Sequence, residues 1–400
     1  LTEHPDTAPL HVCLIAGEHS GDHMGALIMR ALIARTGGNV RFSGIGGGEM
    51  LAEGKKHGFE SLFAMEELAI AGIFEIVPHV PRILRRIRET VDRVRDLAPD
   101  VLVTIDSPAF AFRIGRKLKG AVGAHVHYVA PSVWAWRPRR ARMIAGFLDH
   151  LLTIFPFEAP YFEKWGLGST FVGHPTAEMG LDRGDGPAFR AAHGIAPDQP
   201  LLCVLPGSRR SEVGKLLPVF GETIAKLKKR FPDFAIVVPV VETVASEVRA
   251  RASEWHLPVI VTEGMAEKRD AFAAADAALA ASGTVTYELA MAGVPMVVAY
   301  RMASASAFVI RRMIRIKYAS LVNIVLGRQI VPECIQQDCT PEHLVREVGA
   351  LLADPALRAR QKADLAAAAT AIGRGMAPAS ETAADAILAV VARKRDKPEN

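Results

Sequence analysis

Short apolar, β-branched runs alternate along nearly the whole chain with longer segments whose apolar residues recur three and four positions apart. In the first half the runs predict strands at Leu10–Ala16, Val40–Ile45, Asp100–Ile105, Ala124–Val129, His150–Ile154 and Thr170–Val172. The helical spacing covers Asp22–Ala34 and Val80–Leu97. A stretch rich in Gly, Asp, Pro and Ala follows at Thr176–Pro200 and reads as a linker with a surface helix. The alternation then restarts, with strands expected at Leu201–Leu205, Ala235–Val240, Val259–Val261, Ala277–Ala281 and Pro295–Tyr300. Strand-then-helix repetition means parallel sheets joined by right-handed crossovers. The expected organisation is therefore an α/β protein with a doubly wound domain at 1–175, a linker at 176–200 and a second such domain at 201–400. A ligand should lie at the carboxyl ends of both sheets, facing the gap between them. Residues after Pro341 read as Ala-rich helices, and the charged tail Arg393–Asn400 as frayed.

Composition agrees with this pattern. Four hundred residues exceed one ordinary core, and 50% hydrophobic content with only 6% aromatic suits helices on buried parallel strands. The net charge of +5 favours anionic partners such as phosphorylated metabolites, acidic lipid surfaces or nucleic acid. No recognised nucleic-acid module is present, which removes the last of these. Cys13 and Cys203 lie inside apolar runs, and Cys334 and Cys339 match no zinc-ligand spacing, so reduced thiols in a cytoplasmic protein are expected. Leu1–Pro9 shows no signal-peptide pattern, and no uninterrupted run of about 18 apolar residues would span a bilayer.

Candidate chemistry sits where strands end. The first strand is followed by Gly17-Glu18-His19-Ser20-Gly21-Asp22, a turn that can present free N–H groups to an anion. It is no dinucleotide fingerprint, and it reads equally as a strand–helix junction capped by Ser20 or Asp22. His19 and His23 are four apart but belong to no metal motif, so no metal is expected. Asp106 ends another strand, placed to take a proton from an attacking hydroxyl or merely to cap the helix after it. In the second half, Arg209 follows Pro206-Gly207-Ser208 after the first strand, and Ser282-Gly283-Thr284 repeats the loop logic with Glu288 one helical turn on. Such loops suit a pyrophosphate, and the carboxylate suits ribose hydroxyls. Without an Asp-x-Asp, phosphate charge falls to arginine and helix ends rather than to a metal.

Three basic stretches are interleaved with apolar residues: Arg82, Arg85, Arg86, Arg93 and Arg95; Arg137, Arg139, Arg140 and Arg142 after the aromatic run 128–136; and Arg311, Arg312, Arg315 and Lys317. That mixture fits an anionic membrane surface, the plainer reading being solvated helix faces.

Together the segments AGEHSGD at 16–22, MEELAIAGIFE at 65–75, PDVLVTIDSPAF at 99–110, HYVAPSVWAWR at 127–137, FPFE at 155–158, FVGHP at 171–175, LPGSRRSEV at 205–213, ASGTVTYELAMAGVPMVVAYRM at 281–302 and SLVNIVLGRQIVPECIQ at 320–336 resemble the lipid-A-disaccharide synthase family. The resemblance implies an inverting glycosyltransferase of GT-B type, with two Rossmann-like doubly wound domains facing a central cleft. It would transfer the sugar of UDP-2,3-diacylglucosamine to the 6-hydroxyl of 2,3-diacylglucosamine 1-phosphate. Products would be UDP and the β-1,6-linked precursor of lipid A. Carried over, Asp106 is the catalytic carboxylate and Ser20 faces the reacting sugar. Arg209, Ser282, Gly283, Thr284, Glu288 and Asn323 belong to the UDP-sugar site. The family uses no cofactor. Lipid substrates imply peripheral contact with the cytoplasmic face of the inner membrane, assigned to Val133, Trp134, Trp136, Arg137, Arg139 and Arg140. A C-terminal helical segment could also pack on a second copy as a homodimer.

Two positions depart from the family pattern. Ala109 stands where a second acidic residue is common, and GIGGGEM at 44–50 lacks a usual Gly-Pro. The competing functions are a UDP-N-acetylglucosamine 2-epimerase, which shares the architecture but needs no lipid acceptor, and a non-catalytic membrane-associated nucleotide-sugar binder.

Overall fold

The computed structural model describes residues 8–68, 79–255, 258–302 and 316–396. Positions 69–75 of the second family segment, Arg311, Arg312, Arg315 and residues 397–400 lie outside them. The chain divides into two compact units, Leu1–Pro175 with Met376–Asn400, and Thr176–Gly375.

In the first unit β1 (Leu10–Ala16), β2 (Val40–Ile45), β3 (Val101–Ile105), β4 (Ala124–Tyr128), β5 (His150–Thr153) and β6 (Gly168–Phe171) form one parallel sheet in the order β2-β1-β3-β4-β5-β6. Every residue of β1, β3 and β4 is buried, so these strands are mostly apolar on both faces, and their polar members His11, Thr104, His125 and His127 are buried as well. In the second unit β7 (Leu201–Leu205), β8 (Ala235–Val240), β9 (Val259–Glu263), β10 (Ala277–Ala281), β11 (Met296–Tyr300) and β12 (Glu333–Ile335) are ordered β12-β11-β10-β7-β8-β9, again parallel. Both orders reverse direction beside the first strand of the unit. The switch points lie between β1 and β3 and between β7 and β10, where doubly wound sheets bind ligands.

Most strand and helix expectations hold to within two residues; helix Val80–Leu97 appears with the bounds its spacing gave. Three differences are informative. The segment 176–200 is not a free linker. It carries helix Gly186–Ala192, which packs on helix Met265–Ala274 of the second unit. Arg190 fixes it there through the Ala274 carbonyl (2.7 Å) and the Asp276 carboxylate (2.9 Å). Helix Ala379–Arg395 belongs with the first unit, not the second: it buries Ala383, Ala384, Ile387, Val390 and Val391 and packs mainly on helix His19–Arg35. Its face is thus used within the chain. Arg393–Arg395 are not frayed either. Lys394 pairs with Asp149 at 2.6 Å and Arg395 with Asp100 at 2.8 Å, and these two aspartates also accept the N–H groups that begin β4 and β1. Exposed pairs of this kind contribute at most about 1 kcal/mol each, so the apolar face supplies the adhesion and the ion pairs its register.

Candidate active site

At the first switch point two loops meet. Gly17, just after β1, lies so close to the loop after β3 that a Cβ there would sit 2.5 Å from Ser107 Oγ. A larger residue there would have to displace Ser107, so glycine allows the two loops to approach this closely. Asp106 and Ser107 both adopt left-handed backbone conformations (φ 48° and 43°), and Val129, after β4, does so at φ 74°. For a β-branched residue that conformation is a genuine outlier. Three such residues on neighbouring strand ends mark a place where structure has been held against local preference, as at functional sites. The Asp106 N–H donates to the Tyr128 carbonyl at 2.9 Å, and the Val129 N–H to the Leu152 carbonyl at 3.1 Å, so the ladder continues past the strands.

Asp106 does not cap the next helix: Ser107 holds that position, and no side-chain cap bond is made. Burial holds the Asp106 carboxyl above the ordinary aspartate range, opposed in part by the Ser107 N–H. A half-buried carboxylate with a raised pKa at a switch point is a candidate base. Ser20 is exposed in the first turn of helix His19–Arg35, on the loop after β1. Neither Ser20 nor Asp22 caps that helix, whose N-cap is Glu18. Asp22 instead reaches across to GIGGGEM, accepting N–H bonds from Gly47 (2.7 Å), Glu49 (3.0 Å) and Met50 (3.0 Å). Its carboxylate therefore supplies what orders the loop lacking the family's Gly-Pro. His23 pairs with Glu49 at 2.7 Å.

The second switch point is likewise flanked by two of the expected loops. After β7, Gly207 adopts φ 111°, and a Cβ there would lie 2.6 Å from a Glu212 oxygen, so this turn requires glycine. Arg209 is the N-cap residue of the 21-residue helix Arg210–Arg230; its side chain is 70% exposed and pairs only loosely, with Glu212 at 3.1 Å. After β10, Gly283 adopts φ 145° and Thr284 is the N-cap residue of helix Val285–Ala292. Ser282 Oγ donates to the Ala319 carbonyl at 3.1 Å, pinning this loop. Glu288 is nearly buried and pairs with Lys268 at 2.5 Å, a partner that the sequence reading missed. Tyr300 ends β11; burial chiefly, then the Glu212 carboxylate, raises its phenol pKa, against the Arg209 guanidinium.

Two assignments need correction. Asn323 is fully buried with its amide saturated: Oδ1 accepts the Ile330 (2.7 Å) and Val331 (3.0 Å) N–H groups, and Nδ2 donates to the Val331 carbonyl (3.0 Å) and to Glu333 (2.7 Å). No group remains for a ligand, so Asn323 is an organiser. Through Glu333, which also accepts the Ala319 and Ser320 N–H groups at 2.9 Å, it holds the segment that pins Ser282. Val133 and Trp134 are buried, so they cannot touch a bilayer. Trp134 turns inward because its indole N–H finds Glu158 Oε1 at 3.1 Å. Trp136 remains 40% exposed with Arg137 over its ring at 4.1 Å, and Arg139 is exposed. Arg140 is half-buried above Phe112, where burial lowers its pKa.

Glu158 itself went unassigned in the sequence, although an isolated acid closing the aromatic run Phe155-Pro156-Phe157 was a visible signal. It is 1% exposed, and burial pushes its carboxyl up to about 7 despite three N–H donors. Among the described residues, no cluster of three His, Cys, Asp or Glu is placed to hold a metal, and no helix is long and apolar enough to cross a membrane.

A family model described as lipid-A-disaccharide synthetase matches residues 12–387. The lipid-A-disaccharide synthase of Rhodospirillum centenum is 50% identical over 388 residues, 96% of each chain. That of Paramagnetospirillum magneticum is 49% identical over 390 residues, 96% of this chain and 99% of the relative. Among solved structures, a putative UDP-N-acetylglucosamine 2-epimerase from Listeria monocytogenes superposes with TM-score 0.64 at 14% identity, covering 98% of both chains. MurG from Acinetobacter baumannii gives 0.58 at 15%, covering 95% of this chain and all of that one. At these identities the structural likeness is one of fold: two Rossmann-like units of GT-B type.

Proposed function

Since the chain belongs to the lipid-A-disaccharide synthase family and is a glycosyltransferase of lipid A formation, we propose that it transfers the sugar of UDP-2,3-diacylglucosamine to the 6-hydroxyl of 2,3-diacylglucosamine 1-phosphate. The acceptor hydroxyl gives its proton to the Asp106 carboxylate as its oxygen attacks C1 of the donor sugar. The bond from C1 to the β-phosphate oxygen breaks, and its electron pair leaves with UDP. A single displacement inverts C1 and gives the β linkage. The diphosphate is met by the Arg209 guanidinium and by the N–H groups that open helices Arg210–Arg230 and Val285–Ala292, with Ser282, Gly283 and Thr284 in the turn. Glu288, paired with Lys268, accepts the ribose hydroxyls. The observation that carries these roles is that the four loops bearing them bracket the two switch points.

The epimerase reading has the fold in its favour but not the family. It is separated by acceptor dependence: UDP should be released from UDP-2,3-diacylglucosamine only when the acylated acceptor is present. Release without acceptor, or none with it, would overturn the assignment.

The raised Asp106 pKa fixes the sign of the pH dependence. A base acts only when ionised, so kcat should fall as pH drops through a value above the ordinary aspartate range of about 3.9. A rate that stays flat down to that range would leave Asp106 a positional role only.

Both sugars carry acyl chains, so contact with the cytoplasmic face of the inner membrane is part of the proposal. Trp136, Arg137 and Arg139 support it, as do Val80, Leu84, Arg85 and Arg88, exposed together on helix Val80–Leu97. A basic side chain near an anionic surface contributes about 1 kcal/mol. Replacing Arg137 and Arg139 by Gln should therefore weaken sedimentation with phosphatidylglycerol vesicles by roughly thirtyfold. Unchanged sedimentation would move the contact elsewhere.

A further inference from the structure

The carboxyl-end rim of the first unit is held by hydrogen bonds beyond its strands, and the last of them converge on one side chain. Asp106 is bonded to Tyr128, and Val129 to Leu152, both through the backbone. Where β5 ends, the Ile154 and Phe155 N–H groups donate to Glu158 Oε2 at 3.2 and 3.1 Å. Oε1 of the same carboxylate accepts the Trp134 indole N–H at 3.1 Å. Trp134 lies on the short loop and helix that follow strained Val129, and its ring packs edge-on against Phe157 at 5.1 Å. One buried carboxylate thus ties the chain leaving β4 to the chain leaving β5, next to the strand end that carries Asp106.

We infer that Glu158 is a positioning residue for the acceptor half of the reaction, fixing the 129–137 loop against Asp106 through Trp134. The inference rests on the reading of Asp106 as the base. Its chemistry is specific. All three partners of Glu158 are donors, so only a group with two acceptor oxygens satisfies them. A glutamine can face Ile154 and Phe155 with its oxygen, but then its NH2 meets the indole N–H, donor against donor; the flipped amide reverses the conflict. A buried donor left without an acceptor is expelled toward other partners, and the loop carrying Trp134 moves with it.

The test is acceptor kinetics in Glu158→Gln, Trp134→Phe and the double variant of the full chain, with UDP affinity measured alongside. Glu158→Gln should lower kcat/KM for the acylated acceptor by about ten- to a hundredfold, the usual effect of misplacing a reacting group by around 1 Å. UDP affinity, which belongs to the other unit, should stay within about twofold. Because Trp134→Phe removes the conflicting donor, the double variant should recover part of what Glu158→Gln loses. Acceptor kinetics within about twofold of the parent, equal loss of UDP affinity, or strictly additive effects would each overturn the inference. If Glu158→Gln folds poorly, Trp134→Phe, which keeps a ring against Phe157, carries the test alone: unaltered acceptor kinetics would then refute it. Asp106→Asn is the control. Should that variant keep its turnover, the reading of the base fails, independently of what Glu158 does.

Discussion

Asp106→Asn should lose turnover by on the order of 10²- to 10⁴-fold, the usual contribution of a positioned general base, while binding UDP as the parent does. Asparagine is the informative replacement because of the backbone. At φ 48° a non-glycine residue is strained, and asparagine tolerates that region better than alanine, so the variant changes the charge without disturbing the turn. The stability effect has a definite sign. Burial raises the folded-state pKa of Asp106, so ionising it opposes folding. Its favourable contribution exists only below the unfolded-state pKa and is lost as pH rises through the folded value. At neutral pH the neutral amide removes that penalty, and the variant should melt no lower than the parent. Loss of activity with an unchanged or raised Tm and intact UDP binding assigns the chemistry to this carboxylate. Retained turnover would reduce Asp106 to a turn residue, as the non-catalytic reading holds.

The converse is expected of Arg209→Ala, which should weaken UDP binding and raise KM for the nucleotide sugar. A hydrogen bond to a charged group contributes about 1.5–3 kcal/mol, so the loss should be on the order of ten- to a hundredfold. Folding should be little affected, since the side chain is 70% exposed and its pair with Glu212 is a surface pair. Arg209→Lys should recover only part of the affinity, because a point charge cannot reproduce a two-pronged contact with phosphate oxygens. Titration of UDP by calorimetry reads this directly, without the lipid substrates. Undiminished affinity would remove Arg209 from the donor site. The two variants thus separate binding from chemistry, each on its own unit.

Much of this architecture was open to the sequence because buried parallel strands are apolar on both faces and stop at glycine or proline. β1 and β7, buried throughout and followed by Gly17 and Pro206, show this directly, and they share with β2, β8 and β10 the predicted bounds. β12 was missed for the opposite reason. It is three residues long and begins with Glu333, whose charge is absorbed by the Ala319 and Ser320 N–H groups and by Asn323, none of them neighbours in sequence. The same long-range pairing hid the partners of the site. Lys268 reaches Glu288 from a different helix, and Trp134 looked like a membrane anchor until Glu158, 24 positions on, drew its indole inward. Asn323 has the residue type of a ligand contact, and only its four hydrogen bonds reveal that nothing is left to offer. Motifs pointed to the loops at the two switch points, whereas the division between exposed and buried, supporting side chains required the fold.

The most direct measurement is the structure of the product formed by the intact chain from UDP-2,3-diacylglucosamine and 2,3-diacylglucosamine 1-phosphate, read by mass spectrometry and by NMR of the new linkage. Equal amounts of UDP and a β-1,6-linked acylated disaccharide 1-phosphate are expected, and neither in the absence of acceptor. A folded protein that made no disaccharide from both substrates, or that returned a 2-epimer of the nucleotide sugar, would contradict the assignment.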